Sequence, residues 1–199
     1  MTLSPDLEQL IQRTRDGDVQ AFHSLYDLYV GKVLNFAYRL TGSRETAEEV
    51  AQETWVALLD GLDDFEGRST LKTWLFRVLV NRARTRAKRA GREIPFDVQE
   101  DEAHPDESRL SGKFWRLSEG PRGWSEADID NKRVLEIVRR EVERLPEAQR
   151  AVVIMRDIEG LDAKEVCNVL SIQETHQRVL LHRGRAKLRA AIERELGER

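Results

Sequence analysis

The sequence predicts an all-α protein built as two small helical domains joined by a flexible linker. Three observations carry that expectation. Apolar residues recur at steps of three and four from the start of the chain to about Ala90, and again from Val134 onward, which is the spacing of amphipathic helices. Capping residues and glycines break these runs into helix-sized lengths. Between Gly91 and Asp130 the periodicity lapses into Pro95, Pro105, Pro121 and several glycines.

The N-terminal domain, residues 1–91, is expected to hold four helices. Ser4 caps the first, Pro5 occupies its first position, and Gly17 ends it. Asp18 is placed to cap the second, which carries Phe22, Leu25, Tyr26, Tyr29, Val33, Phe36, Ala37 and Leu40 and stops at Thr41-Gly42. Ser43 caps the third, with Ala47, Val50, Ala51, Thr54 and Leu58 on its apolar face and Gly61 at its end. After a loop from Asp63 to Ser69, the fourth runs from about Thr70 to Ala90 with Leu71, Trp74, Leu75 and Val78 as its expected buried stripe. Residues 92–130 form the linker, with an acidic run (Asp97, Glu100, Asp101, Glu102, Asp106, Glu107) and the aromatics Phe114, Trp115 and Trp124. In residues 131–199 helical spacing returns with Val134, Leu135, Val138 and Val142. It restarts after Leu145-Pro146 into Ala148, Val152, Val153 and Met155, and breaks at Gly160.

Composition narrows the function. With 40% hydrophobic and 35% charged residues, the 199-residue chain can pack cores beneath charged surfaces. A single cysteine, Cys167, precludes an intramolecular disulfide. No stretch approaches the roughly 20 apolar residues of a membrane span, and no signal core opens the chain, so a soluble cytoplasmic protein without membrane insertion is expected. No P-loop, paired-histidine metal motif, nucleophile elbow or cysteine pair is present, so no enzyme, cofactor or metal is expected. Gly120-Pro121-Arg122-Gly123 reads as a turn, not a phosphate cradle.

Charge is segregated instead of excessive. On the fourth helix Arg77, Asn81, Arg84 and Lys88 follow one face opposite the apolar stripe, and Arg82, Arg86, Arg89 and Arg92 add to it. A one-signed face of this kind suits a polyanion. Phe65, Trp74 and Phe76 stand beside it, as aromatics do where unstacked bases are held. For Trp74 a core role is an equal alternative.

The segment Gly160 to Leu188 is the most specific local feature. Asp162 and Glu165 have capping-box spacing, and Ala163, Val166, Cys167 and Leu170 form the apolar face of a two-turn helix, with Cys167 read as core. Ser171-Ile172-Gln173 makes a short turn, and a longer helix follows from about Glu174. Leu181, Gly184, Leu188 and Ile192 form its expected inner face, opposite Arg178, His182, Arg185 and Arg189. That is the layout of a helix-turn-helix whose second helix enters the major groove. Thr175, His176, Gln177 and Arg178 are its candidate base readers; Arg183, Arg185 and Lys187 are candidates for phosphate contact. A plain helical hairpin with a solvated basic face is the simpler alternative. His176 and His182 lack partners for a metal site. On the third helix, Glu45, Glu48, Glu49, Gln52 and Glu53 lie off the apolar face, and offsetting the helix dipole explains part of this.

Taken together, three stretches resemble the extracytoplasmic-function (ECF) sigma factors, the smallest members of the sigma-70 family. They are Ala47 to Trp55, then Phe65-Glu66-Gly67-Arg68-Ser69 with Thr73 to Val78 and Asn81-Arg82, and finally Gly160 to Leu188. The likeness implies a sigma-70 region 2 at residues 1–91 and a region 4 at residues 131–199. It implies a factor that directs core RNA polymerase to promoters and helps melt the −10 element. On that reading Asp27, Glu48, Glu49 and Gln52 face the polymerase clamp. Phe65, Arg68, Ser69, Lys72, Trp74, Arg77, Asn81, Arg84 and Lys88 meet the −10 DNA, with Phe65 to Ser69 cradling a flipped base. Gln173, Thr175, His176, Gln177, Arg178, Arg183 and Arg185 meet the −35 duplex. The resemblance further implies contact with the polymerase flap, a linker passing near the template strand, and an anti-sigma partner. Gln173-Glu174-Thr175-His176-Gln177 departs from the Pro-x-Gly-Thr-Val common at this turn, so promoter preference is not transferable. A stand-alone helix-turn-helix regulator is the alternative; it would not need the cationic N-terminal helix or the aromatic loop.

Overall fold

The computed structural model describes residues 5–91 and 131–197. The expected cap at Ser4 and the linker with its acidic run, Phe114, Trp115 and Trp124 lie outside the described residues. The described chain forms α1 (Pro5–Arg15), α2 (Val19–Thr41), α3 (Arg44–Gly61), α4 (Leu71–Arg89), α5 (Asn131–Arg144), α6 (Glu147–Val153), α7 (Ala163–Leu170) and α8 (Glu174–Gly197). A π-helical turn, Ile154–Ile158, continues α6. There is no strand among the described residues.

Local chemistry sets the boundaries. The Asp18 carboxylate accepts from the amides of Gln20 and Ala21 at 2.9 and 3.2 Å and starts α2. Arg13 hydrogen-bonds the same carboxyl and, with the two amides, holds it below the usual carboxylate range. Ser43 caps α3 and Thr70 caps α4 through the amides of Thr46 and Thr73. Gly42, at φ 68°, takes the left-handed conformation that closes α2 without the penalty a side chain would meet there.

α1 to α4 enclose an apolar core. Leu25, Val33, Phe36 and Leu40 of α2 meet Ala47, Val50 and Leu58 of α3 and Leu71, Leu75, Phe76, Leu79 and Val80 of α4, all buried. Phe36 and Phe76 stack at 4.7 Å between ring centroids. The buried stripe of α4 differs from the expectation in one respect: Trp74 and Val78 are only half-buried. Phe76 and Val80 take their place, because α4 is covered on two sides, by α2 and α3 and also by α7.

α5 to α8 form the second group. The capping box is present: Asp162 accepts from the Glu165 amide at 2.8 Å while Glu165 accepts from the Asp162 amide at 2.9 Å. α7 and α8 are joined by Ser171-Ile172-Gln173, with Ser171 at φ 56° where glycine is the usual residue. α8 lies against α6 so closely that a Cβ at Gly184 would stand 2.7 Å from Cγ2 of Val153. Glycine is required there by contact, not by backbone conformation. We therefore expect Gly184→Ala to destabilise the C-terminal helices by about 1–3 kcal/mol, read as a lowered Tm. Combining it with Val153→Ala should cost less than the two single changes summed, since the second removes the clashing methyl.

Candidate nucleic-acid interface

α4 presents three kinds of surface. Its inner face is core. Its outer face carries Arg77, Asn81, Arg82, Lys88 and Arg89, all exposed, as the cationic stripe requires. Between the two runs a polar seam against the second helical group. Lys72 donates to the Glu159 carbonyl. Thr73 Oγ1, already bonded to Thr70, donates to Glu165 Oε1 at 2.6 Å. Arg84 Nη2 donates to the Leu170 carbonyl at 2.6 Å, placing a cation on the C-terminal end of α7. Burial at this seam pulls the Arg84 guanidinium below its ordinary pKa. Lys72 and Arg84 were expected on DNA; in this arrangement both are occupied by the other helical group.

The loop between α3 and α4 is anchored at its base and exposed at its tip. Phe65 is 6% exposed and packs edge-on against Trp74 at 6.0 Å, so its ring is part of the core and not a free stacking platform. This corrects the expectation that Phe65 itself stacks on a base. Glu66 and Arg68, paired at 2.8 Å, stand exposed at the tip, with Ser69 half-buried behind them.

On α8 the expected readers divide. Gln173, Thr175 and Arg178 are exposed, and Arg178 is paired with Glu174 at 2.6 Å. His176 is half-buried, with Nε2 buried and unpartnered. Gln177 is 1% exposed and cannot reach a base edge in this arrangement. The signal was in the spacing, because Gln177 lies four residues before Leu181 and so belongs to the inner face with Gly184 and Leu188. Arg183 is half-buried. Arg185 forms a bidentate pair with Asp157, its Nε at 3.0 Å, and so fastens α8 to the π-helical turn instead of standing free for phosphate. Burial, then Glu174, pushes the Cys167 thiol up, which makes it a poor nucleophile.

A third surface lies on α3. Glu48 and Gln52 are exposed, Glu48 pairing with Arg44 at 2.9 Å. Glu49, half-buried, shares Arg86 of α4 with Glu53. Asp27 is exposed on α2. The line of Glu48 and Gln52 continues into Val56 and Leu59, 57% and 51% exposed, which sequence reading missed. Their signal was two large apolar residues at positions that the helical period turns outward. Tyr26 of α2 closes over Trp55 at 4.8 Å beside them.

Among the described residues no group of three or more His, Cys, Asp or Glu is placed to hold a metal ion, and no helix is long and apolar enough to cross a membrane.

Comparison with known proteins fits this geometry. Sigma-70 region 2 matches residues 25–93, and sigma-70 region 4 matches residues 135–188. The ECF RNA polymerase sigma-E factor of Escherichia coli (strain K12) is 32% identical over 162 residues, 81% of each chain. The ECF RNA polymerase sigma factor SigW of Bacillus subtilis (strain 168) is 25% identical over 188 residues, 94% of this chain and 96% of that one. Among solved structures, CnrH in complex with the cytosolic domain of CnrY is 22% identical with a TM-score of 0.59, covering 96% of this chain and 99% of that one. The sigma factor RpoE in complex with the anti-sigma factor NepR from Bartonella quintana is 20% identical with a TM-score of 0.60, covering 88% and 98%. Two helical regions of this make, in this order, define a sigma-70 type initiation factor. The chain belongs to the ECF RNA polymerase sigma factors, and its function is to direct core RNA polymerase to promoters. The region 2 match is what a stand-alone helix-turn-helix regulator would lack.

Gln177 gives a direct check on the inner-face assignment. Its Nε2 is buried without a partner, so Gln177→Leu should leave Tm unchanged or raised and leave duplex preference as in the wild type. Thermal unfolding and competition binding on duplex DNA measure the two.

Proposed function

We propose that residues 1–91 act as region 2 and residues 131–199 as region 4, with the outer face of α4 on the −10 element and the exposed N-terminal part of α8 on the −35 element. The observation that carries this is the presence of two separate faces with cationic and hydrogen-bonding side chains: Arg77, Asn81 and Lys88 on α4, and Thr175, Arg178 and His182 on α8. Gln173 and Arg183 flank the second face. Arg68 and Ser69 supply the polar tip of the base-cradling loop, and Trp74, half-buried, packs against Phe65 at its base. Glu48, Gln52 and Asp27, extended by Val56 and Leu59, form the polymerase-clamp surface; Glu49 supports it through Arg86. The chain acts by binding, in the cytoplasm, without a catalytic step, cofactor or metal of its own. Because NepR is an anti-sigma factor on a related fold, an anti-sigma protein is also the expected inhibitor of this one.

The seam between α4 and α7 adds a condition. Promoter elements centred roughly 25 base pairs apart lie about 85 Å apart along B-form DNA at ~3.4 Å per step. Helices held within hydrogen-bond distance of one another cannot serve both sites. The Thr73–Glu165 and Arg84–Leu170 bonds must therefore break when the factor engages a promoter, which also releases Lys72 and Arg84 to the DNA.

Run-off transcription with core polymerase and genomic fragments tests the function. Initiation at defined start sites only when the chain is added is expected; no chain-dependent start site would overturn the reading. Asn81→Ala should reduce open-complex formation roughly five- to thirtyfold while leaving closed-complex binding nearly intact. Arg178→Ala should weaken duplex −35 binding by about 1–3 kcal/mol instead. Permanganate footprinting and mobility-shift titration separate the two steps.

A further inference from the structure

Arg15, at the end of α1, reaches a loop about fifty positions away in the chain. Its Nε donates to the Leu62 carbonyl at 2.9 Å and its Nη2 donates to the Phe65 carbonyl. The Leu62 carbonyl also accepts from the Phe65 amide at 3.2 Å, so the guanidinium closes a small ring of hydrogen bonds at the start of the α3–α4 loop. Arg15 is half-buried there, whereas the tip residues Glu66 and Arg68 are exposed. The Phe65 ring, meanwhile, is fixed against Trp74. The loop thus has two anchors. An aromatic side chain holds it from within the core, and an arginine fork holds its backbone carbonyls.

We infer that Arg15 is a positioning residue for the reading of the −10 element, acting through the α3–α4 loop without touching DNA. A loop that grips an extruded base must hold its polar groups in place before the base arrives, since ordering them afterwards would weaken the grip. The planar guanidinium is suited to this, because one rigid group satisfies two carbonyls at once. A lysine ammonium has donors enough but lacks the rigid fork that fixes two carbonyls in one plane. Loss of the fork leaves the ring of Phe65 in place but frees the carbonyl side of the loop, so affinity and base discrimination should both fall.

This rests on the proposed role of the loop, and the experiment separates the two. Holoenzyme is assembled from core polymerase and the full chain carrying Arg15→Met, Arg15→Lys or Arg68→Ala. Each is titrated with single-stranded non-template oligonucleotides spanning the −10 element of a promoter mapped by the transcription assay. The set includes versions in which each −10 base is replaced in turn. The readout is the ratio of affinities for the preferred and replaced bases. A merely destabilised protein lowers the active fraction but leaves this ratio unchanged. Arg15→Met should weaken binding by about tenfold and bring the ratio at the loop-read base towards one, with Arg15→Lys intermediate. An unchanged ratio in Arg15→Met, with Arg68→Ala reducing it, overturns the role of Arg15 and leaves the loop assignment standing. If neither variant alters the ratio at any position, the loop does not read a base and both ideas fall.

Discussion

The structure depends on the burial of α4. Its inner residues Leu75, Phe76, Leu79 and Val80 are fully enclosed, and fully burying side chains of this size contributes about 1.5–3 kcal/mol each. The helix can therefore carry an outer face crowded with arginine and still be held in place. Without that anchor the same residues would repel one another on a solvated segment. The inner face holds the outer face in place for the −10 role proposed for it.

Arginine has two different jobs in this chain. Arg77, Arg82, Arg89 and Arg178 stand exposed, as expected of groups that meet phosphates or bases. Several others close the fold on itself. Arg84 donates to the end of α7, Arg15 to the base of the α3–α4 loop, Arg150 to the Glu143 carbonyl, and Arg156 to the Leu161 carbonyl. Arg86 and Arg185 pair with carboxylates of neighbouring elements. Charge patterning alone places Arg84, Arg86 and Arg185 on faces meant for nucleic acid. Backbone carbonyls at helix ends and turns compete for the same donors, and a flat fork serves them well. Arg84 belongs to both groups if the seam opens, since its partner is then the other region's own backbone or the DNA.

The helix boundaries were legible because they are local. Asp18, Ser43 and Asp162 cap the helices they were expected to cap, and Gly42 and Gly160 sit in the left-handed conformation at breaks. The family was legible because its motifs are ordered along the chain. What escaped sequence reading was set by side-chain contacts that helical periodicity does not report, or by a residue type at odds with its own spacing. Phe65 looked like a stacking platform because an aromatic in a loop has no local reason to be buried; Trp74 supplies one. Gln177 looked like a reader because it is polar, although its spacing placed it inward. The bonds of Thr73 and Arg84 to α7 join residues more than eighty positions apart, and no periodicity reports such a pair.

The most direct measurement of the account is the separation between α4 and α7 before and after promoter engagement. Spin labels placed at exposed Thr85 and Asn168, in a Cys167→Ala background, report it by dipolar spectroscopy. A short distance in the free chain, replaced by one of several tens of ångströms in an open promoter complex, is the predicted result. A short distance retained in a complex that initiates transcription would contradict it.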